Sequence, residues 1–346
     1  MKILVVFTGG TIGSSKSDSV IDINEAMSFQ LLASYQTQAN SKAVEFDTQQ
    51  PIYTLSENLV PNDWHALLDS LNAVDQSIYH GIIIAHGTDT LPYTSAAVSF
   101  AMQQCHIPVV LVASGHPLDD VRANGQRNFS SAVDFIAEGV SKGVFVIYEN
   151  KAGESIVHLG SRLVEADAYT DDFDSMGGVI FGKMEEGCFI HNTDARNPTA
   201  HDLNQHKPVL STRIRFSSEI LLIKPFTGLN YDYFRFGEHK PKAILHSLYH
   251  SGTANSSDDL SSSIKTFVSY CKQQGVDVYA APIAQTEDLY QSAKDLMDAG
   301  AIPVIGVSLE TTLVKLLMKC ASEHLDMKTE IYFEKLRIMS PHSPSS

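Results

Sequence analysis

IIIAHGTDTLPYTSAA, Ile82 to Ala97, decides how the fold is read. Three isoleucines and an alanine run without a polar break, His86 to Thr90 turn, and a helical pattern begins. A short, continuous apolar run that feeds a helix is the sign of a strand buried on both faces. The same figure recurs on either side of it. Ile3–Phe7, Val109–Ala113 and Val144–Tyr148 read as further strands. Asn24–Gln36, Asn62–Asp75, Thr94–Cys105 and Asn124–Gly139 read as the helices between them. In the last of these, Phe129, Ala132, Val133, Phe135 and Ile136 put apolar residues at helical spacing. Strands alternating with helices predict a parallel sheet covered on both faces. Ligands of such a sheet bind beyond the carboxyl ends of its strands. The stretches to read for chemistry are therefore Thr8–Ser19, His86–Pro92 and Ser114–Asp120.

Beyond them the pattern breaks once. NTDARNPTAHDLNQHKPVLS, Asn192–Ser211, is polar, aperiodic and carries two prolines, so it reads as a linker. A second alternating series follows, with strands at Ile220–Ile223, Ala243–His246, Val276–Ala281 and Ile302–Val307. Helices at Asp259–Gln274, Asp288–Asp298 and Leu309–Cys320 complete it. The expected organisation is α/β throughout: a larger parallel-sheet domain over 1–191, a linker over 192–211 and a smaller α/β domain over 212–346. Two domains also suit a chain of 346 residues. The final SPHSPSS reads as a frayed, low-complexity tail.

Composition narrows the function classes. A formal charge of −15 makes phosphate backbones and anionic membranes poor partners. The apolar start, Ile3 to Phe7, is too short for a signal-peptide core, and no run approaches the ~20 residues of a membrane span. A cytoplasmic location is expected. Cys105, Cys188, Cys271 and Cys320 are widely spaced without a C-x-x-C pair, which argues against zinc and a disulfide framework and for buried thiols.

Two loops carry chemistry. In FTGGTIGSSKSDS, Phe7–Ser19, Gly9 and Gly10 allow close approach of a ligand, and Gly13 allows a tight turn. Thr11 between them is placed to offer a hydroxyl, although an ordinary Gly-rich turn has the same look. Neither G-x-G-x-x-G nor G-x-x-x-x-G-K-[ST] is present, so a nucleotide loop does not fit. The Ser, Gly and Lys content suggests a mobile lid. In the second loop, Thr88 and Asp89 pair a hydroxyl with a carboxylate at a strand end, which suits activation of a nucleophile or water. A helix cap explains the same residues equally well, and explains Thr90 and Thr94 better.

Together, TGGTIG (Thr8–Gly13) and HGTDTL (His86–Leu91) resemble the paired signatures of the bacterial-type asparaginases, and HGTDT with its leading His resembles the type I, cytoplasmic branch. SENLVPNDW (Ser56–Trp64), LVASGHPLDDVRANGQRNFSSA (Leu111–Ala132) and LGSRLVEADAYTDDFDS (Leu159–Ser175) resemble further family segments in the right order. LYHSGTAN (Leu248–Asn255) and GVSLETTLVKLL (Gly306–Leu317) match more loosely.

The resemblance implies an amidohydrolase, most simply one converting asparagine to aspartate and ammonia, with no metal or organic cofactor. Thr11 matches the nucleophile, and Thr88 with Asp89 matches the second threonine and aspartate of the relay. Ser56 matches the serine that holds the substrate's α-carboxylate, Glu57 its neighbour, and Asp89 would also meet the α-ammonium. Gly10 and Gly87 flank the substrate position. Two positions depart from the family. No Tyr occurs between Thr11 and Tyr35, where the lid tyrosine is expected, and Glu165 stands where a lysine is expected. Glu165 is accordingly the candidate for the remaining acid–base position. A small-molecule substrate and a homodimer or homotetramer are implied, with neither nucleic acid nor membrane as partner. Two other readings compete: a catalytically weak amino-acid-binding descendant, and an amidase-like subunit serving tRNA-dependent transamidation. Against the last stand the acidic balance and a first strand that begins at once, leaving no room for an appended domain.

Overall fold

The computed structural model describes residues 1–10, 14–17, 20–23, 25–38, 41–210, 213–284, 289–322 and 325–336. It falls into two units, Met1–Arg213 with Ile331–Phe333, and Ile214–Glu330 with Glu334–Ser346.

The first unit is built on an eight-stranded sheet. In chain order its elements are β1 (Lys2–Phe7), a hairpin of β2 (Ser14–Ser17) and β3 (Val20–Ile23), α1 (Glu25–Gln36), β4 (Glu45–Gln49), α2 (Pro61–Asn72), β5 (Gly81–Ala85), α3 (Leu91–Ala101), β6 (Pro108–Val112), α4 (Gly125–Glu138), β7 (Gly143–Glu149), β8 (Ser155–Leu159), β9 (Gly182–Glu185), β10 (Cys188–His191) and α5 (Ala200–Gln205). The sheet order is β10-β9-β8-β7-β6-β5-β1-β4. Strands β4, β1, β5, β6 and β7 run parallel, and β8, β9 and β10 extend the sheet antiparallel. The central strands are the apolar runs of the sequence, and every residue of β5 and β6 is buried. The antiparallel extension was not anticipated. The turn joining β9 and β10 is Glu186–Gly187, both at positive φ (50° and 80°), a backbone suited to a two-residue hairpin.

The second unit holds β11 (Ile220–Ile223), β12 (Ala243–Ser247), α6 (Ile264–Gln273), β13 (Asp277–Ile283), α7 (Gln291–Asp298), β14 (Ile302–Ile305) and α8 (Leu309–Ala321). Its four strands pair in chain order and all run parallel. Helix α8 starts at an effective cap, with Ser308 Oγ accepting from the N–H of Thr311.

Two expectations need correction. The stretch 192–211 is no free linker: its described residues belong to the first unit. It carries α5, capped by Thr199, and buries Asn197 and Leu203. The boundary falls at Arg213/Ile214, and Ile331–Phe333 returns to the first unit. The thiols are all free, but only Cys105 and Cys271 are buried, Cys320 is intermediate and Cys188 is exposed on β10. No helix among the described residues is long and apolar enough to cross a membrane.

Candidate active site

Three loops meet beyond the carboxyl ends of β1 and β5. The N–H of Thr8 donates to the carbonyl of Ala85, and its hydroxyl donates to the same oxygen at 3.1 Å. Thr54 joins from the chain after β4, its N–H bonding the carbonyl of Thr8 and its carbonyl accepting from Gly10. Glycine makes the closest approach possible. Gly10 has φ +77°, and a Cβ there would lie 2.4 Å from the nitrogen of Gly87. A Cβ on Gly87 would lie 2.5 Å from Ser56 Oγ. Any side chain at either position would push the loops apart.

The polar groups assemble around these contacts. Ser56 is buried, and its Oγ donates to Asp89 Oδ2 at 2.9 Å. Asp89 and Glu57 are exposed and Thr88 is half-buried. Gly10, Ser56, Gly87 and Asp89 thus come together as the sequence suggested, although they span nearly eighty positions. Thr11 lies outside the described residues. The segment read as a mobile lid, Thr8–Ser19, contributes Ser14–Ser17 to the β2–β3 hairpin, paired from Ser14↔Ile23 to Ser17↔Val20.

His86 closes the floor. It is 1% exposed, and its Nδ1 lies 2.7 Å from the carbonyl of Gly87. A carbonyl only accepts, so Nδ1 carries the proton. Burial lowers the imidazole to about 4, which keeps it neutral.

The capping explanation of the threonines does not hold. Thr90 occupies the N-cap of α3, but its side chain makes no cap bond. Its hydroxyl instead donates to the carbonyl of Ser56 at 2.9 Å and ties two site loops together. Thr94 lies inside α3 and accepts from Trp64 Nε1 at 3.0 Å.

Glu165 arrives by a different route. Ser95 of α3 donates to the carbonyl of Gly160 at 2.8 Å, and a Cβ on Gly160 would lie 2.8 Å from Ser99 Oγ. Buried Arg162 donates from Nε to the carbonyl of Phe333 and from Nη1 to that of Arg196. The turn so fixed delivers Glu165, exposed, to the first turn of α3, where it accepts from the Tyr93 hydroxyl at 2.5 Å. Sequence reading missed Tyr93. Its signal was available, since Tyr93 is the third residue of the helix that follows Asp89.

The Ser114–Asp120 loop opens elsewhere, onto a cavity of about 320 Å³ at the ends of β6 and β7. None of Gly10, Ser56, Thr88 or Asp89 lines it. Its cations are engaged: Arg127 with Glu149, Arg122 with Asp120, and Lys151 Nζ with the carbonyl of Tyr169. Among the described residues no group of three His, Cys, Asp or Glu side chains is placed to hold a metal ion.

Comparison with known proteins accords with this geometry. The family described as Asparaginase, N-terminal matches residues 2–195. A glutamyl-tRNA(Gln) amidotransferase subunit from Sulfolobus acidocaldarius is 26% identical over 350 residues, 97% of this chain and 74% of that protein. The L-asparaginase of Thermococcus kodakarensis is 33% identical over 164 residues, 47% of each chain. Two solved structures share the fold. The thermostable L-asparaginase from T. kodakarensis superposes with a TM-score of 0.73 at 23% identity, covering 97% of this chain and 99% of its own. L-asparaginase I from Vibrio cholerae O1 biovar eltor gives 0.72 at 24%, covering 96% and 98%.

Proposed function

The chain belongs to the asparaginase family, and from that premise we propose that it hydrolyses the side-chain amide of a small amino acid, most simply asparagine. The observation that carries this reading is the meeting of Gly10, Ser56, Gly87 and Asp89 at one point beyond β1 and β5. Thr11 follows Gly10 directly in the chain, and its hydroxyl is the nucleophile of this reading. Its oxygen attacks the amide carbon, the C–N bond breaks, and the nitrogen leaves as ammonia after taking up a proton. Water then attacks the resulting ester, releasing the carboxylic acid and restoring the threonine. Backbone N–H groups of the Gly-rich loops would hold the oxyanion. Thr88 and Asp89 serve the proton transfer, and Asp89 pairs with the substrate's ammonium. Glu57 borders the substrate, and Glu165 supplies the remaining acid–base group. A homodimer or homotetramer in the cytoplasm completes the reading.

The test is ammonia release from a panel of amino-acid amides, run beside Thr11→Val. Turnover of asparagine that disappears in the near-isosteric variant is expected. Equal turnover by both proteins would rule out Thr11 as nucleophile, and no turnover of any amide would rule out the hydrolase.

A second reading is favoured by one observation: the alignment with the Sulfolobus amidotransferase protein runs along almost the whole chain. On that reading this chain is an amidase component of a glutamyl-tRNA(Gln) amidotransferase. It predicts glutamine as amide donor and tRNA-dependent stimulation that weakens with added salt. Asparagine turnover indifferent to tRNA would exclude it.

A further inference from the structure

Glycine at position 87 solves one problem and creates another. A Cβ there would lie 2.5 Å from Ser56 Oγ, so the close contacts of the site exclude a side chain. Without a Cβ little hinders rotation about the residue's own φ and ψ, and the peptide unit joining Gly87 to Thr88 is free to swing. That unit is planar and trans, so its carbonyl and its N–H point in opposite directions and turn together. Whatever holds the Gly87 carbonyl also aims the Thr88 N–H.

His86 holds it. Its own N–H donates to the carbonyl of Val112 on β6 at 2.9 Å, which fixes its backbone to the sheet. Its ring is buried, and Nδ1–H donates to the Gly87 carbonyl at 2.7 Å. The carbonyl is drawn toward the buried ring, so the Thr88 N–H points away from it. Among the described residues that N–H donates to nothing; Thr88 bonds through its carbonyl, which accepts from the N–H of Leu91 at 3.4 Å. The other ring nitrogen of His86, Nε2, is buried and has no hydrogen-bond partner among the described residues. A polar atom so placed costs stability that an apolar side chain of similar size would not lose. The bond to Gly87 is therefore the polar task that the ring performs here.

The geometry points to His86 as a positioning residue that locks the Gly87–Thr88 peptide, so that the Thr88 N–H is presented as a donor to the oxyanion of the hydrolysis. His86 acts through the peptide and in this role exchanges no proton. The role rests on the hydrolase reading and adds a residue to it. A preset donor stabilises charge that develops only as the amide carbon is attacked, so its loss is felt in kcat and not in the binding of a ligand without an oxyanion.

The experiment moves the donor by one bond. An Asn Nδ2 stands as many bonds from the backbone as the His Nδ1, and a Gln Nε2 stands one bond farther. His86→Asn therefore keeps the donor in place, His86→Gln misplaces it and His86→Leu removes it. Each variant is measured for kcat with asparagine and for binding of aspartate by calorimetry, after circular dichroism has shown that it folds. His86→Leu and His86→Gln are expected to lower kcat about 10- to 100-fold, less than outright loss of an oxyanion donor. His86→Asn is expected to stay within about threefold of wild type. Aspartate affinity should stay within about twofold in all of them, since the product carries no oxyanion. Should His86→Leu fail to fold, the contrast between His86→Asn and His86→Gln decides alone. Full kcat in His86→Gln, a His86→Asn no better than His86→Gln, or aspartate affinity that falls in step with kcat overturns the positioning role and leaves the hydrolase standing. No ammonia from any amide with the wild-type protein overturns the hydrolase and the positioning role together.

Discussion

In the second unit, Lys315 and Glu334 lie 2.8 Å apart with side chains 1% and 0% exposed, and the Lys315 ammonium also donates to the carbonyl of Thr329. In the first, Asp89 and Glu165 stand exposed at the carboxyl end of a parallel sheet, each tied to a neutral hydroxyl. Both units are wound from parallel strands and covering helices. One closes a pair of opposite charges inside its core, and the other keeps its carboxylates at the surface. A buried charge needs its partner for the fold to stand, whereas an exposed carboxylate keeps water as an alternative partner. Burial is thus what separates the charges that the fold depends on from those open to solvent.

Substitution breaks the comparison most severely at Lys315. Lys315→Ala strips buried Glu334 of its ammonium and is expected to cost about 3–5 kcal/mol. Denaturant unfolding measures it. The double variant Lys315→Met with Glu334→Leu is expected to recover most of that loss, since no buried charge remains. A double variant as unstable as the single one would show that shape, not charge, dominates there.

Asp89→Asn is the counterpart. The loss is expected in catalysis, by about 10²-fold or more in kcat/KM, with binding of aspartate weakened as well. Stability should change by less than about 0.5 kcal/mol, as for other exposed positions. A large stability loss with activity intact would assign Asp89 to the fold and not to the site.

Acid titrates the two units unequally. His86 and His158 of the first unit are lowered by burial to about 4 and about 3, and His246 of the second to about 4. Each folded value lies below the unfolded value of 6.5. In the window between them the unfolded chain binds more protons, so stability is full above pH 6.5 and falls as pH falls. From pH 6.5 to 5.5 the loss is about 1 kcal/mol per histidine, hence about 2 in the first unit and about 1 in the second. Trp64, the one tryptophan, lies in the first unit and reports it alone. Its fluorescence melt is expected to fall further on acidification than the far-ultraviolet melt of the whole chain. Identical shifts would show that the units lose stability together.

What sequence reading reached follows the same division. β5, β6 and β7 were legible because strands buried on both faces are apolar without interruption. β4, EFDTQ, was not, because an edge strand with largely exposed residues has no apolar run to show. β10 failed for a related reason, since it alternates exposed and half-buried residues over only four positions, whereas β8, SIVHL, is buried but has its apolar run cut by His158. The unit boundary was misplaced because Ile331–Phe333 rejoins the first unit more than a hundred residues later, and no local composition records that. In the site, glycine contacts were foreseeable because a Gly-rich loop announces close approach. The role of Thr90 was not, because its partner Ser56 lies 34 residues upstream and a cap was the local explanation. Glu165 was found as a departure from a pattern; Tyr93 had its place just after Asp89 as a signal, but its bond to Glu165 depends on α3 meeting the Gly160 turn.

The smallest expected effect probes how α3 itself is held. Trp64 on α2 donates to buried Thr94 of α3, and this bond links α2 to the helix that carries Tyr93 and follows Asp89. Trp64→Phe removes the donor and some volume, and about 1 kcal/mol of stability should go with it. Thr94→Val removes the acceptor in a near-isosteric way and should cost a similar amount, because each single variant leaves one buried polar group without its partner. The double variant leaves neither, so its loss should be smaller than the sum of the two. Activity should stay within about twofold of wild type in all three, since neither Trp64 nor Thr94 is among the groups proposed to touch substrate. A strictly additive cycle would mean that the bond contributes nothing beyond packing. A fall in kcat as large as that of Asp89→Asn would mean that α3 shifts when its support is cut, and that the separation between structural and functional polar groups fails at this helix.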